Sequence, residues 1–318
     1  MRLPTLLLLI AIPVWTARAT GPAAIPAATG PNADLGGQLL LPPDDAWNRD
    51  ISREPVDPAS DAIIARIGRN KPLHEDFGVV WQGVPAGIPY YVVRSSQPKV
   101  PVRFTGAPHE SDPGPYPVPP DALIEGGATS RGDRHVLVLD ADHGKLYELY
   151  NATPVDGGRS WTAYSGAVFD LRTPHARPAG WTSADAAGLP ILPGLARYDE
   201  ICGTKELRHA LRFTVQHSRK AYVSPASHFA SSLQADDLPP MGMRVRLKAS
   251  FDTSRFTGAA RVILEGLKKY GLILADNGSD WFISGAPDDR WKHEELTPLR
   301  KVSGQDFEVI KMGPLTTN

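Results

Sequence analysis

Glu148 is the one charged residue of the run Leu146-Tyr147-Glu148-Leu149-Tyr150, and it shares a strand face with Leu146 and Tyr150. A carboxyl group among apolar neighbours is pushed toward its protonated form, which suits a proton donor. Asp170 and Asp276 each close a strand-like run, where a rigid scaffold presents side chains to a ligand. Either can serve as the ionised partner of such an acid, as nucleophile or base. His228 lies in Pro225-Ala226-Ser227-His228-Phe229-Ala230-Ser231-Ser232, a loop of small residues that leaves an imidazole free to meet a ligand. His209 and Arg212 stand on opposite faces of His209-Ala210-Leu211-Arg212-Phe213-Thr214. For His209 a hydrogen-bonded place in the core competes with a binding role. Trp181 and Asp185 belong to a segment that reads as a capped turn, with Thr182 or Ser183 as cap and Asp185 in its first turn. The catalytic candidates are therefore Glu148, Asp170, Asp276 and His228. The substrate-binding candidates are Trp181, Asp185, His209 and Arg212.

Other chemistries leave no local mark. The chain has no G-x-S-x-G elbow, no phosphate-binding glycine loop and no H-E-x-x-H pair. Nine histidines are scattered without ligand spacing, so no metal site and no cofactor is expected. Asp276-Asn277-Gly278-Ser279-Asp280 is rich in oxygen atoms but reads as a turn. The single cysteine, Cys202, has no activating neighbour in sequence and reads as a structural thiol.

The elements that must position these residues are mostly strands. Runs at 135–140 and 145–150, separated by Ala141-Asp142-His143-Gly144, read as a hairpin. The stretch 161–170 reads as one long strand with a bulge at Ser165-Gly166. In 243–249, Arg244, Arg246 and Lys248 alternate with Met243, Val245 and Leu247, predicting a half-buried strand with a cationic outer or cleft face. Two helices are predicted, at 58–67 and 258–270, the second stopped by Gly271. Fifteen prolines crowd residues 41–120, and 112–120 should run extended across a sheet. The expected fold is mainly β, a β-sandwich or jelly roll with a few peripheral helices.

Composition excludes several classes. With 34 basic and 35 acidic side chains among 318 residues, the chain lacks the basic footprint of a nucleic-acid binder. Thirty-one prolines exclude a helical bundle, and 42% hydrophobic residues exclude disorder as the main state. Arg2, the apolar run 6–15, and Ala17 and Ala19 form the pattern of a signal peptide over 1–19, cleaved after Ala19. Residues 20–40 read as a flexible Ala/Gly/Pro-rich leader, and 41–312 as a single domain with a proline-rich front. The mature chain is expected to be secreted or periplasmic, without an integral membrane segment.

The blocks Gly132-Asp133-Arg134-His135-Val136-Leu137-Val138, Ser165-Gly166-Ala167-Val168-Phe169-Asp170-Leu171, 181–200 and 270–285 resemble a family of secreted microbial proteins, over about residues 41–310. The resemblance implies one continuous domain and carries no activity, cofactor or catalytic residue with it. Export, strand-end carboxylates, and tryptophans beside polar turns together point to a polysaccharide or oligosaccharide ligand. The leading expectation is hydrolysis of glycosidic bonds. A lyase acting on an acidic glycan, with Arg212 neutralising the sugar acid, is the alternative, as is a non-catalytic carbohydrate-binding or surface protein.

Overall fold

A computed structural model describes residues 28–81, 83–174 and 177–317. The expected signal peptide and its cleavage site lie outside the described residues. The fold is mainly β. Its five-stranded sheet runs, in spatial order, Gly30–Pro31, Tyr90–Val93, Val136–Asp140, Lys145–Tyr150 and Ser165–Asp170. Its six-stranded sheet runs Phe307–Val309, Arg244–Leu247, Leu272–Asn277, Leu211–Val215, Phe282–Ser284 and His74–Asp76.

Strand periodicity explains how the layers join. Leu137, Leu139, Leu146, Ala167 and Phe169 point from one face of the five-stranded sheet into the main core, where they meet Leu211, Phe213, Val245 and Leu272 of the six-stranded sheet. The alternate residues Val136, Val138, Tyr147 and Leu149 point the other way. There they pack with Tyr116 and Val118 of the proline-rich segment and with Trp161 and Ala163. The prolines thus lay an extended chain across the sheet, as their spacing predicts.

The Val136–Asp140/Lys145–Tyr150 hairpin forms as expected, and the helices span Ser60–Ile67 and Gly258–Lys269. Other expectations are corrected. The stretch 161–170 is not one bulged strand. It breaks at Tyr164 into Ser160–Ala163, in a three-stranded sheet with Val102–Phe104 and Thr153–Val155, and Ser165–Asp170 in the five-stranded sheet. Trp161 and Phe169 fill different cores, so the chain has to change layers between them. Arg244 and Arg246 face neither solvent nor a cleft, because the segment around residues 46–51 covers them. Arg244 donates to the carbonyls of Ala46 and Tyr270, and Arg246 donates to Ile51 and to Glu308. The leader is also shorter than expected. Gly30–Pro31 joins the sheet, and Leu35 is fully buried, so the described part of 20–40 is built into the body.

Candidate active-site cleft

Strands of both large sheets end at a cleft of about 800 Å³. Tyr150, Ser165, Asp276 and Asn277 enter it from strand ends. The segments around residues 106–110, 182–186 and 228–230 close its sides. The same period-2 pattern that builds the core carries polar groups here. Leu146, Glu148 and Tyr150 share one face, and on the neighbouring strand Asp133 and His135 lead into Leu137 and Leu139 on that same face.

The floor is organised by Arg212. Its Nε and Nη2 donate to Asp185 at 3.0 and 2.8 Å, and its Nη1 donates to Ser284 Oγ at 2.6 Å. This fork is bidentate, so Asp185 is fixed in position and supplied with a counter-charge. Asp276 Oδ2 lies 3.7 Å from the same guanidinium, without a hydrogen bond to it. Asp276 is only 21% exposed at its side chain. Burial, and then the charge of Asp185, push its carboxyl well above the ordinary carboxylate range, with Asp133 adding to the rise. Arg212 and His135 oppose that rise without cancelling it. Asp276 therefore favours its protonated form, with a proton to give, at the edge of an open cleft.

Beside it, His135 Nδ1 faces Glu125 Oε2 at 2.6 Å, and Nε2 faces the Ala184 carbonyl at 3.0 Å. Both partners only accept, so both ring nitrogens carry protons. Burial alone would lower the His135 pKa, but the Glu125 charge and hydrogen bond outweigh it and lift it to about 9. Glu125 responds in kind: burial raises it, but His135 holds it below its usual range. Glu125, Asp133 and His135 bring their ligand atoms within 4.8 Å of one another. As held, the imidazolium offers no lone pair to a metal ion. Its role is that of a fixed positive charge behind Asp133, which is exposed and lines the cleft.

At another wall, His228 Nδ1 donates to the Ala186 carbonyl at 2.7 Å. That bond sets the tautomer and turns Nε2 toward Glu110 Oε2, 4.0 Å away. Ala186 is next to Asp185, so the clamp on Asp185 also steadies the wall that orients His228.

Of the residues singled out from sequence, the fold brings Asp276, Asp185, Arg212 and His228 together. The others stand apart. Glu148 is fully buried between the sheets, and its oxygens accept the amides of Ile191 and Leu192 at 2.9–3.0 Å. Burial, opposed by those amides, raises it to about 7, as its apolar neighbours suggest, but it is not on the cleft. Asp170 is on the surface, held down to about 2 chiefly by its hydrogen bonds with Arg172. His209 is sealed against Glu200 and the Ala210 carbonyl. Trp181 adjoins the lining residue Thr182, with the Arg177 guanidinium over its ring. Cys202 is half-buried, which pushes its thiol up to about 11 and away from nucleophile chemistry. Sequence reasoning missed Asp133, His135, Tyr150 and Tyr164. The alternation through Asp133 and His135 into Leu137 was the available signal.

Comparison with protein-family models, with curated proteins and with solved structures yields no match.

Proposed function

We propose that the protein hydrolyses glycosidic bonds of an extracellular polysaccharide, with Asp276 as the general acid and Asp133 as the ionised carboxylate. The observation that carries this reading is one cleft that joins Asp276, whose carboxyl burial and Asp185 push toward its protonated form, with Asp133 and Glu110. Glycoside hydrolysis needs one carboxyl that holds its proton and one that does not. Asp276 donates its proton to the glycosidic oxygen as the bond to the anomeric carbon breaks. Asp133 meets the positive charge developing at that carbon and takes a proton from the water that attacks it, so the carbon gains a hydroxyl while the leaving sugar keeps the proton from Asp276. His228 Nε2 and Glu110 accept hydrogen bonds from sugar hydroxyls.

The lyase alternative loses its cation here, because Arg212 is 5% exposed at its side chain and committed to Asp185. The test is a panel of neutral and acidic polysaccharides read for new reducing ends and for the ultraviolet absorbance of unsaturated products. Reducing ends that disappear in both Asp276→Asn and Asp133→Asn support the assignment. Unsaturated products would replace hydrolysis by elimination. Binding without either signal would favour a non-catalytic carbohydrate-binding protein.

A further inference from the structure

Tyr164 marks the point where the chain leaves one sheet for another, and its geometry is unusual for a surface tyrosine. Its backbone is fully engaged: its amide donates to Tyr150 O at 2.8 Å, and its carbonyl accepts from Gly106 and Ala107 at 3.1 and 2.9 Å. The residue is 48% exposed and lines the cleft, and its ring meets that of Tyr150 in a T-shaped pair, with centroids 5.6 Å apart.

Gly106 explains how the ring is held. A Cβ placed there would fall 2.1, 2.1 and 2.4 Å from three consecutive ring carbons, Cδ2, Cε2 and Cζ. An edge-on approach would leave Cζ much farther than Cδ2 and Cε2, so Gly106 lies under the face of the ring. The backbone of Gly106 is outside the left-handed region, so the ring, and not the φ angle, is what a side chain would disturb there. One face of Tyr164 is thus laid on bare backbone, while the residue stays half exposed along the cleft.

We propose that Tyr164, seated on Gly106 and braced by Tyr150, is a stacking platform for an uncharged sugar ring of the bound glycan. The inference deepens the hydrolase reading and rests on the same cleft. An aromatic face attracts the apolar C–H face of a pyranose, and a ring already immobilised loses little freedom when it binds. Charge selects the class of sugar. Among the described residues no Lys or Arg lines the cleft, whereas the carboxyl groups of Glu110 and Asp133 do. A uronate or sulfated ring would be repelled from this wall.

The test uses the full protein, with Asp276→Asn as the binding form. The probes are neutral hexasaccharides of glucan, mannan, galactan and xylan, with oligogalacturonate as the acidic counterpart. Calorimetry should find a neutral hexasaccharide bound in preference to oligogalacturonate. Tyr164→Ala should weaken that binding by about tenfold, the loss of one aromatic contact, while Tyr164→Phe keeps it. Gly106→Ala, which tilts the ring without removing it, should weaken binding about threefold with the melting temperature held. In the active protein the same variants should raise KM and spare kcat. Hydrolysis that proceeds unchanged in Tyr164→Ala overturns the platform but leaves the hydrolase standing. Binding that depends on Tyr164 without any hydrolysis keeps the platform and removes the hydrolase. A preference for oligogalacturonate, or no binding that depends on Tyr164, overturns the platform.

Discussion

Two arginines in this molecule are surrounded by acids, and they do opposite things. Arg197 lies 3.4 Å from Asp199 and 3.0 Å from Glu200, and Glu200 also meets His209 at 3.0 Å. Backbone amides add to this network: Glu200 accepts from the Arg197 amide and Asp199 from the Gly37 amide. All four side chains are under 5% exposed. Arg212 likewise holds Asp185 by two bonds, but its second acid, Asp276, is left at 3.7 Å, without a bond, and open to the cleft. Burial alone raises any carboxylate, so the sign of the shift depends on what the burial is balanced against. Glu200 ends below its usual range because Arg197 and His209 outweigh the burial. Asp276 ends above because Asp185 and Asp133 add to it. A closed and buried network holds the fold together, whereas one acid too many, at an opening, is a proton source.

The largest expected effect comes from breaking the closed network. Arg197→Met strands two buried carboxylates and should cost about 3–5 kcal/mol, read as a fall in the urea midpoint at unchanged slope. Arg212→Met strands only Asp185, because Asp276 is already neutral, and should cost less. Asp276→Asn should invert the pattern. Hydrolysis should fall roughly 10²–10⁴-fold, the usual range for a lost general acid, while stability at neutral pH is kept or raised.

The two networks also predict opposite pH slopes. Glu200 is depressed, so its contribution is present above its unfolded pKa and is lost as acid brings the pH down through its folded one. Asp276 is raised, so stability is greatest below its unfolded value and falls as the pH rises through its folded one. Glu148 adds a slope of the same sign as Asp276, between its ordinary value of 4.5 and about 7. That interval corresponds to about 3 kcal/mol, and Glu148→Gln should flatten it in melts recorded from pH 4 to 8. Asp170→Asn is the smallest change. It removes an exposed pair with Arg172 and should shift stability by less than about 1 kcal/mol.

Local patterns carried the sequence reading as far as local patterns reach. The 135–150 hairpin, the helix stopped by Gly271 and the burial-raised Glu148 all follow from alternation and neighbours. What covers a strand does not. Glu148 reads from its own strand as a catalytic acid, and the Ile191–Leu192 turn that seals it off lies more than forty residues away. Arg244 and Arg246 alternate as a solvated face would, but carbonyls from residues 46–51 reach over them. The cleft joins Asp133, Tyr150, Tyr164, Asp185, His228 and Asp276, which no spacing rule connects. Asp276 was legible as a strand-end carboxylate, whereas its proton depends on Asp185, an acid ninety-one positions earlier in the chain.

The central claim is that Asp276 keeps its proton at neutral pH while Glu200 does not. Carboxyl-labelled NMR of the full protein, with Asp276→Asn and Glu200→Gln to assign the two signals, measures this directly. Asp276 should titrate well above the ordinary aspartate value of about 3.9, and its midpoint should fall toward that value when Asp185→Asn removes the neighbouring charge. Glu200 should stay ionised down to a pH below its own ordinary range. An Asp276 signal that titrates near 3.9, and is indifferent to Asp185→Asn, would contradict the account.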